Sequence, residues 1–235
     1  MNDNYIREIK IYWDQIDEYS YLREIPALMD LKALEFPNRI TFFAGENGSG
    51  KSTLLEALAV SYGFNPEGGT LNYRFSTYDD YSELWSAARI TKGYRRPSAG
   101  YFFRAESFFN VATKAIDYAD GSGGVDYHGL SHGESFLEFM QGTGREGLFL
   151  MDEPEAALSP QRQLTLLIHI IMMAEKGSQF IIVTHSPILL GIPGAQILEF
   201  GDSGIRPCAY EDTESYQITK LFLENRKLVL DELLK

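Results

Sequence analysis

Two stretches of this chain hold residue types that can do chemistry on a polyphosphate. The first is Gly45-Glu46-Asn47-Gly48-Ser49-Gly50-Lys51-Ser52, which fits the spacing G-x-x-x-x-G-K-[ST]. Its three glycines let the backbone curl so that several N–H groups point into one concave nest, a shape suited to phosphate oxygens. Lys51 adds a mobile positive charge that can reach the outer phosphates, and the Ser52 hydroxyl can ligate magnesium. Asn47, Ser49 and Thr53 complete the expected phosphate contacts. The second stretch is Leu148-Phe149-Leu150-Met151-Asp152-Glu153, an apolar run ending in paired acids. At the C-terminal edge of a parallel sheet, where ligands bind, Asp152 would hold magnesium mainly through water. Glu153 would orient or deprotonate an attacking water. Alone, such a pair also reads as two solvated acids; the upstream glycine-rich loop favours the chemical reading.

Two shorter motifs add to these. Ser131 and Glu134 form S-x-x-E, a capping box that starts a helix. The same helix N-terminus, carrying Ser131 and Gly133, can instead bind a phosphate through exposed N–H groups. Capping and phosphate contact compete for the same donors. In Val183-Thr184-His185-Ser186-Pro187, a histidine lies just past an apolar stretch. A lone histidine is usually structural, but this one follows the strand after the acid pair.

The elements that must position these groups are visible as periodicity. Residues 39–43 read as a buried strand before the glycine-rich loop, and Leu54, Leu55, Leu58 and Ala59 recur at helical spacing after it, with Gly63 as the stop. Residues 5–13 alternate as a half-buried strand through Tyr5, Arg7, Ile9, Ile11 and Trp13. Residues 71–104 predict β structure, 106–119 a helix, 120–129 a glycine-rich loop and 131–140 a further helix. Residues 147–151 and 179–184 predict buried strands. Residues 160–175 predict a helix with Ser159 as N-cap, Pro160 in the first turn and a stripe of Leu164, Leu167, Ile168 and Ile171. A hairpin around 201–204 and an amphipathic C-terminal helix, in one or two pieces from Thr213, complete the chain. Strands alternating with helices imply an α/β fold with a mostly parallel sheet flanked by helices.

The 235 residues suffice for one large domain. No apolar run reaches 18 residues, so no membrane span is expected. No signal-peptide pattern is present, and the one cysteine, Cys208, excludes an internal disulfide; a soluble cytoplasmic protein is the expectation. The net charge of −12 does not support a broad grip on nucleic acid, which needs clustered Lys and Arg, though it leaves room for a local patch. Tyr19 or Tyr21 could stack on a nucleotide base, although ordinary packing is the commoner role of such tyrosines.

The order of the motifs resembles ABC-type ATPases. More closely, the chain resembles stand-alone ATPases of the ABC/AAA group, related to the SMC-like and overcoming-lysogenisation-defect ATPases. Gly45 to Ala59, Tyr101 to Phe109, Ser131 to Leu137, Leu150 to Leu166 and Gln179 to Leu190 carry the likeness. The resemblance implies a P-loop NTPase of ABC ATPase type, one domain over 1–235, with a small antiparallel β lobe and a short helical segment inserted at about 64–145. It implies ATP and Mg2+ as cofactors and an ATP-dependent homodimer that sandwiches two ATP molecules. Ser131–Gly133 of one copy would meet the γ-phosphate held at Lys51 of the other. His185 would contact that phosphate and hold the catalytic water with Glu153.

The chain departs from the family pattern at three places. No clear glutamine follows an early strand, and Arg104 or Glu106 sits in about that position. Ser159 stands where the dimer-contacting loop often has aspartate, and His132 replaces a glycine of the signature. Eighty positions separate Lys51 from Ser131, too few for the long coiled coil of SMC-like proteins, and no nuclease module is visible. The leading expectation is an ATPase that drives a protein partner the sequence does not name. The alternatives are a non-hydrolytic nucleotide switch, which could dispense with Glu153, and the ATPase subunit of a membrane transporter. Family analogy also leaves DNA-linked and defence roles open.

Overall fold

The structure, a computed structural model, describes residues 3–71, 82–104, 145–156 and 158–235. Ten strands and five α-helices are described: β1 (Ile6–Ile11), β2 (Ala33–Glu35), β3 (Ile40–Gly45), α1 (Lys51–Tyr62), β4 (Gly69–Thr70), α2 (Leu84–Ala87), β5 (Ala88–Lys92), β6 (Ala99–Arg104), β7 (Gly147–Asp152), α3 (Pro160–Glu175), β8 (Gln179–Val183), α4 (Pro187–Leu190), β9 (Gln196–Gly201), β10 (Gly204–Pro207) and α5 (Glu214–Leu233).

The large sheet has the order β10-β9-β3-β8-β7-β6-β4. Its five central strands, β9 to β6, run parallel, and β10 and β4 close the edges antiparallel. Parallel strands covered on both faces read as continuous apolar runs, which is the character of β3, β7 and β8. Their side chains divide between two cores. Phe43, Leu148, Leu150, Ile181 and Val183 face a core shared with α1 and the small sheet. Phe42, Phe149, Met151, Phe180 and Ile182 face a core shared with α3 and α4. Phe149 and Phe180 stack there, with ring centroids 4.9 Å apart.

The small sheet is antiparallel, in the order β2-β1-β5. Among the described residues, β5 of this sheet comes from the span of about 64–145 in which a β lobe is expected, and β1 and β2 come from the first 35 residues. The register slips between Ile6 and Glu8, so the buried set changes from Ile6 to Ile9 and Ile11 and the simple alternation breaks. A fully buried glutamine ties the two sheets together. Gln179 of β8 accepts from the Ile6 N–H and donates to the Ile6 carbonyl, both at 2.8 Å. α1 lies between the sheets, which accounts for buried residues all around it.

Within residues 71–104 the expectation of β structure holds for β5 and β6 and fails at α2. The expected run around Tyr73 to Phe75, the helix at 106–119, the loop at 120–129 and the helix at 131–140 lie outside the described residues. The hairpin and the C-terminal helix form as expected, and the helix kinks at Asn225. In α3, Ser159 caps the N-terminus by accepting from the Arg162 N–H. The expected core stripe needs correction: Leu164 and Ile168 are exposed, and the buried face is Leu166, Ile170, Met173 and Ala174. Almost every position from Leu164 to Met173 is apolar, so periodicity alone does not choose the face.

This face can be tested by urea unfolding. Leu166→Ala should cost about 2–5 kcal/mol, whereas Leu164→Ala should change stability by no more than about 0.5 kcal/mol. Equal losses at the two positions would contradict the observed packing.

Candidate functional site

Strands β3, β8 and β7 are neighbours, and their C-terminal ends finish at one level. Phe43 pairs with Val183, and Val183 pairs with Asp152. Three motifs far apart in sequence therefore meet at one sheet edge: the glycine-rich loop after β3, the acids ending β7 and the histidine after β8.

The loop is held in a form only glycine permits at two points. Gly45 has φ 125°, and a Cβ there would lie 2.3 Å from the Phe200 carbonyl oxygen. Gly50, with φ 94°, is the residue before α1, and its Cα surface is packed by Ile25 and Leu28. Lys51 is almost fully buried, and its Nζ donates to the carbonyls of Gly45 at 2.7 Å and Glu46 at 2.6 Å. Burial pushes the Lys51 pKa down, and the charges of Glu153, Asp152, Glu199 and Glu46 oppose that shift. The Ser49 hydroxyl oxygen is buried with no hydrogen-bond partner among the described residues. A buried cation held only by loop carbonyls and an unpaired hydroxyl beside it fit a polyphosphate.

Ser52 Oγ donates to Asp152 Oδ1 at 2.9 Å. This pair brings two hard oxygen donors together, and among the described residues no cluster of three or more His, Cys, Asp or Glu could hold a metal. That donor set suits magnesium, which keeps several waters and is shared with substrate phosphates. Asn47 and Gly48 are exposed on the loop, and Thr53 is half-buried in the first turn of α1.

Glu153 is the described non-glycine residue with positive φ, at 49°. The left-handed region costs an ordinary residue about 1–2 kcal/mol, and such strain concentrates at functional sites. Its N–H donates to the Val183 carbonyl at 3.0 Å, which fixes the turn against β8. Glu153 Oε1 lies 3.7 Å from His185 Nε2, and both side chains are partly exposed.

Sequence reasoning assigns no role to Glu155 beyond membership of a loop. The structure half-buries it against the loop that carries the histidine, where Oε1 accepts from the His185 N–H at 2.7 Å. Burial holds its carboxyl above the ordinary carboxylate range, with the Glu153 charge adding to the effect and polar groups of Thr184 and His185 opposing it. Gln163 of α3 is a second unforeseen contact, accepting from Ser186 Oγ at 2.6 Å. An acid or an amide two or three turns from a motif reads as solvated, so the available signal was only the acid's position two residues past Glu153.

Arg104 of β6 pairs with Asp152 in register, but its guanidinium donates to Glu56 of α1 at 2.7 Å and to the Pro66 carbonyl at 3.1 Å. Tyr19 and Tyr21 are both exposed, so ordinary packing does not occupy either ring. Ser131, His132, Gly133 and Glu106 lie outside the described residues.

Comparison with known proteins bears on this geometry. A family model described as "AAA domain" matches residues 22–81, and one described as "AAA domain, putative AbiEii toxin, Type IV TA system" matches residues 119–191. Between them they span the glycine-rich loop, Ser131, the acid pair and His185. Both matched models describe AAA domains, so the chain is similar to the ABC/AAA group of P-loop ATPases. The hemin import ATP-binding protein HmuV of Pseudomonas aeruginosa is 27% identical over 173 residues, covering 63% of this chain and 67% of that protein. Similar solved structures include the SMC head domain from Thermotoga maritima, with TM-score 0.47 and 14% identity, covering 87% of this chain and 99% of that one. They also include the ADP conformation of MJ1267, an ATP-binding cassette of an ABC transporter, with TM-score 0.47 and 16% identity, covering 98% and 99%. Among the described residues, no helix is long and apolar enough to cross a membrane.

The buried carboxyl oxygen of Glu155 gives the protein a testable pH dependence. Its raised folded pKa means that the folded chain binds this proton more tightly than the unfolded chain. Its contribution to stability therefore falls as pH rises from the unfolded value, about 4.3, through the folded value. In urea unfolding across pH, Glu155→Gln should gain stability relative to the unsubstituted protein over that window and then level off. A pH-independent difference would contradict the shift.

Proposed function

We propose that this protein is a magnesium-dependent ATPase that closes as a homodimer around ATP and uses the cycle to drive a protein partner. One observation carries the reading: Lys51, the Ser52–Asp152 pair and the Glu153–His185 pair lie together at the ends of three adjacent parallel strands. Similarity to AAA-domain models and to a named ATP-binding protein supports ATP binding and hydrolysis. The Pseudomonas relative is named for ATP binding in hemin import, and only the nucleotide half of that name is transferred here.

Each residue has a role in this scheme. The loop N–H groups and Lys51 bind the phosphates, with Lys51 exchanging the Gly45 and Glu46 carbonyls for phosphate oxygens. Ser52 and Asp152 would hold magnesium, which neutralises phosphate charge when bound with ATP. Glu153 accepts the proton of the attacking water or orients it. The 3.7 Å separation of Glu153 and His185 lets one water hydrogen-bond to both. Ser131 and Gly133 supply the second half of the site from the other copy, as the family resemblance implies. Retention of both Asp152 and Glu153 favours turnover over a non-hydrolytic switch. The chain's −12 charge favours a protein partner over a broad nucleic-acid surface.

Glu153→Gln should lose turnover by at least about a hundredfold and elute as a dimer from size-exclusion chromatography with ATP and magnesium. Elution as monomer only would refute the sandwich. Ser131→Arg should block that dimer while ATP binding to the monomer persists. Unchanged hydrolysis in this variant would leave Ser131 as a helix cap and nothing more.

A further inference from the structure

We propose that Glu155 is a positioning residue for hydrolysis: its carboxylate holds the loop after β8 so that His185 stays beside Glu153. The proposal rests on the ATPase reading above. Glu155 lies in the turn that follows β7, where the Ala156 N–H bonds to the Glu153 carbonyl and the Leu158 N–H to the Glu155 carbonyl. From that turn its side chain crosses to the next strand's loop and accepts from the His185 N–H at 2.7 Å. The turn thus grips the loop twice, through the Glu153 N–H on the Val183 carbonyl and through the Glu155 carboxylate two residues later. The two ends of the Glu153–His185 pair are set by residues two apart in sequence.

The remaining contacts of the loop leave this grip without a substitute. The Thr184 N–H donates to the Phe43 carbonyl, which ties the loop to β3, and the Ser186 N–H donates to Thr184 Oγ1. Ser186 Oγ donates to Gln163 and accepts from the N–H groups of Ile188 and Leu189, capping α4. Among these contacts only the Glu155 carboxylate receives the His185 N–H. Holding a carboxylate in a buried turn is unfavourable unless both oxygens are satisfied. Glu155 Oε2 is buried with no partner among the described residues. An apolar or small residue would fill the turn at lower cost, so the acid is explained by what Oε1 holds.

The test uses the full chain with Glu155→Ala, Glu155→Gln and Glu155→Asp. Glu155→Ala removes the acceptor and should lower kcat at least about tenfold, since small misplacements of reacting groups are costly, while KM for ATP changes by less than about threefold. Glu155→Gln keeps an oxygen for the His185 N–H and should recover most of that loss. Glu155→Asp keeps the charge but shortens the reach, so it should resemble the alanine variant even if alanine does not fold. A kcat for Glu155→Ala or Glu155→Asp equal to that of the unsubstituted protein, with only the melting temperature lowered, would overturn the proposal. Amide hydrogen exchange at residues 184–186 separates this outcome from a failure of the ATPase reading. If the unsubstituted protein does not hydrolyse ATP, that reading fails. Faster exchange in Glu155→Ala and Glu155→Asp, but not in Glu155→Gln, still supports the grip, and unchanged exchange in all three overturns it.

Discussion

Phe43, Val183 and Asp152 stand side by side because β3, β8 and β7 are parallel neighbours that stop at the same level. Everything chemical in this molecule depends on that arrangement. A glycine-rich loop, an acid pair and a histidine lie up to 140 positions apart in the chain, and strand pairing brings them to one edge. A register slip of one residue in β8 would turn its side chains to the opposite core, exchanging Ile181 and Val183 for Phe180 and Ile182. Because both faces are buried, the two cores specify the register, and the register specifies the site.

The site concentrates unfavourable features that the surrounding structure holds in place. Lys51 is buried against two carbonyls, Glu153 adopts a left-handed conformation, and Glu155 holds one buried carboxyl oxygen with no partner among the described residues. Gly45 touches the Phe200 carbonyl so closely that no side chain fits. The rest of the fold relieves local conflicts of this kind with well-paired groups, as Gln179 does for both backbone groups of Ile6. Backbone strain and a buried cation thus gather where the candidate chemistry would be done.

Much of this was legible in the sequence. The strand–loop–helix at 40–62, the acid-tipped strand β7, strand β8 with its histidine and the hairpin of β9 and β10 all read correctly, because each couples strong periodicity to a distinctive terminus. Three things did not read. The buried face of α3 was ambiguous because apolar residues lie on most of its circumference, and only tertiary packing selects Leu166 over Leu164. The origin of the small sheet was hidden because β2 has three residues and β1 carries a register slip. Glu155 carried no signal of its own because its partner, His185, is 30 positions away.

The central claim is that the edge formed by β3, β8 and β7 hydrolyses ATP. Release of inorganic phosphate from ATP, followed with magnesium present and then chelated, compares the unsubstituted protein with Lys51→Ala most directly. The account predicts steady, magnesium-dependent turnover that falls at least about a hundredfold in Lys51→Ala. Turnover that is absent in the unsubstituted protein, or equal in the two proteins, would contradict it.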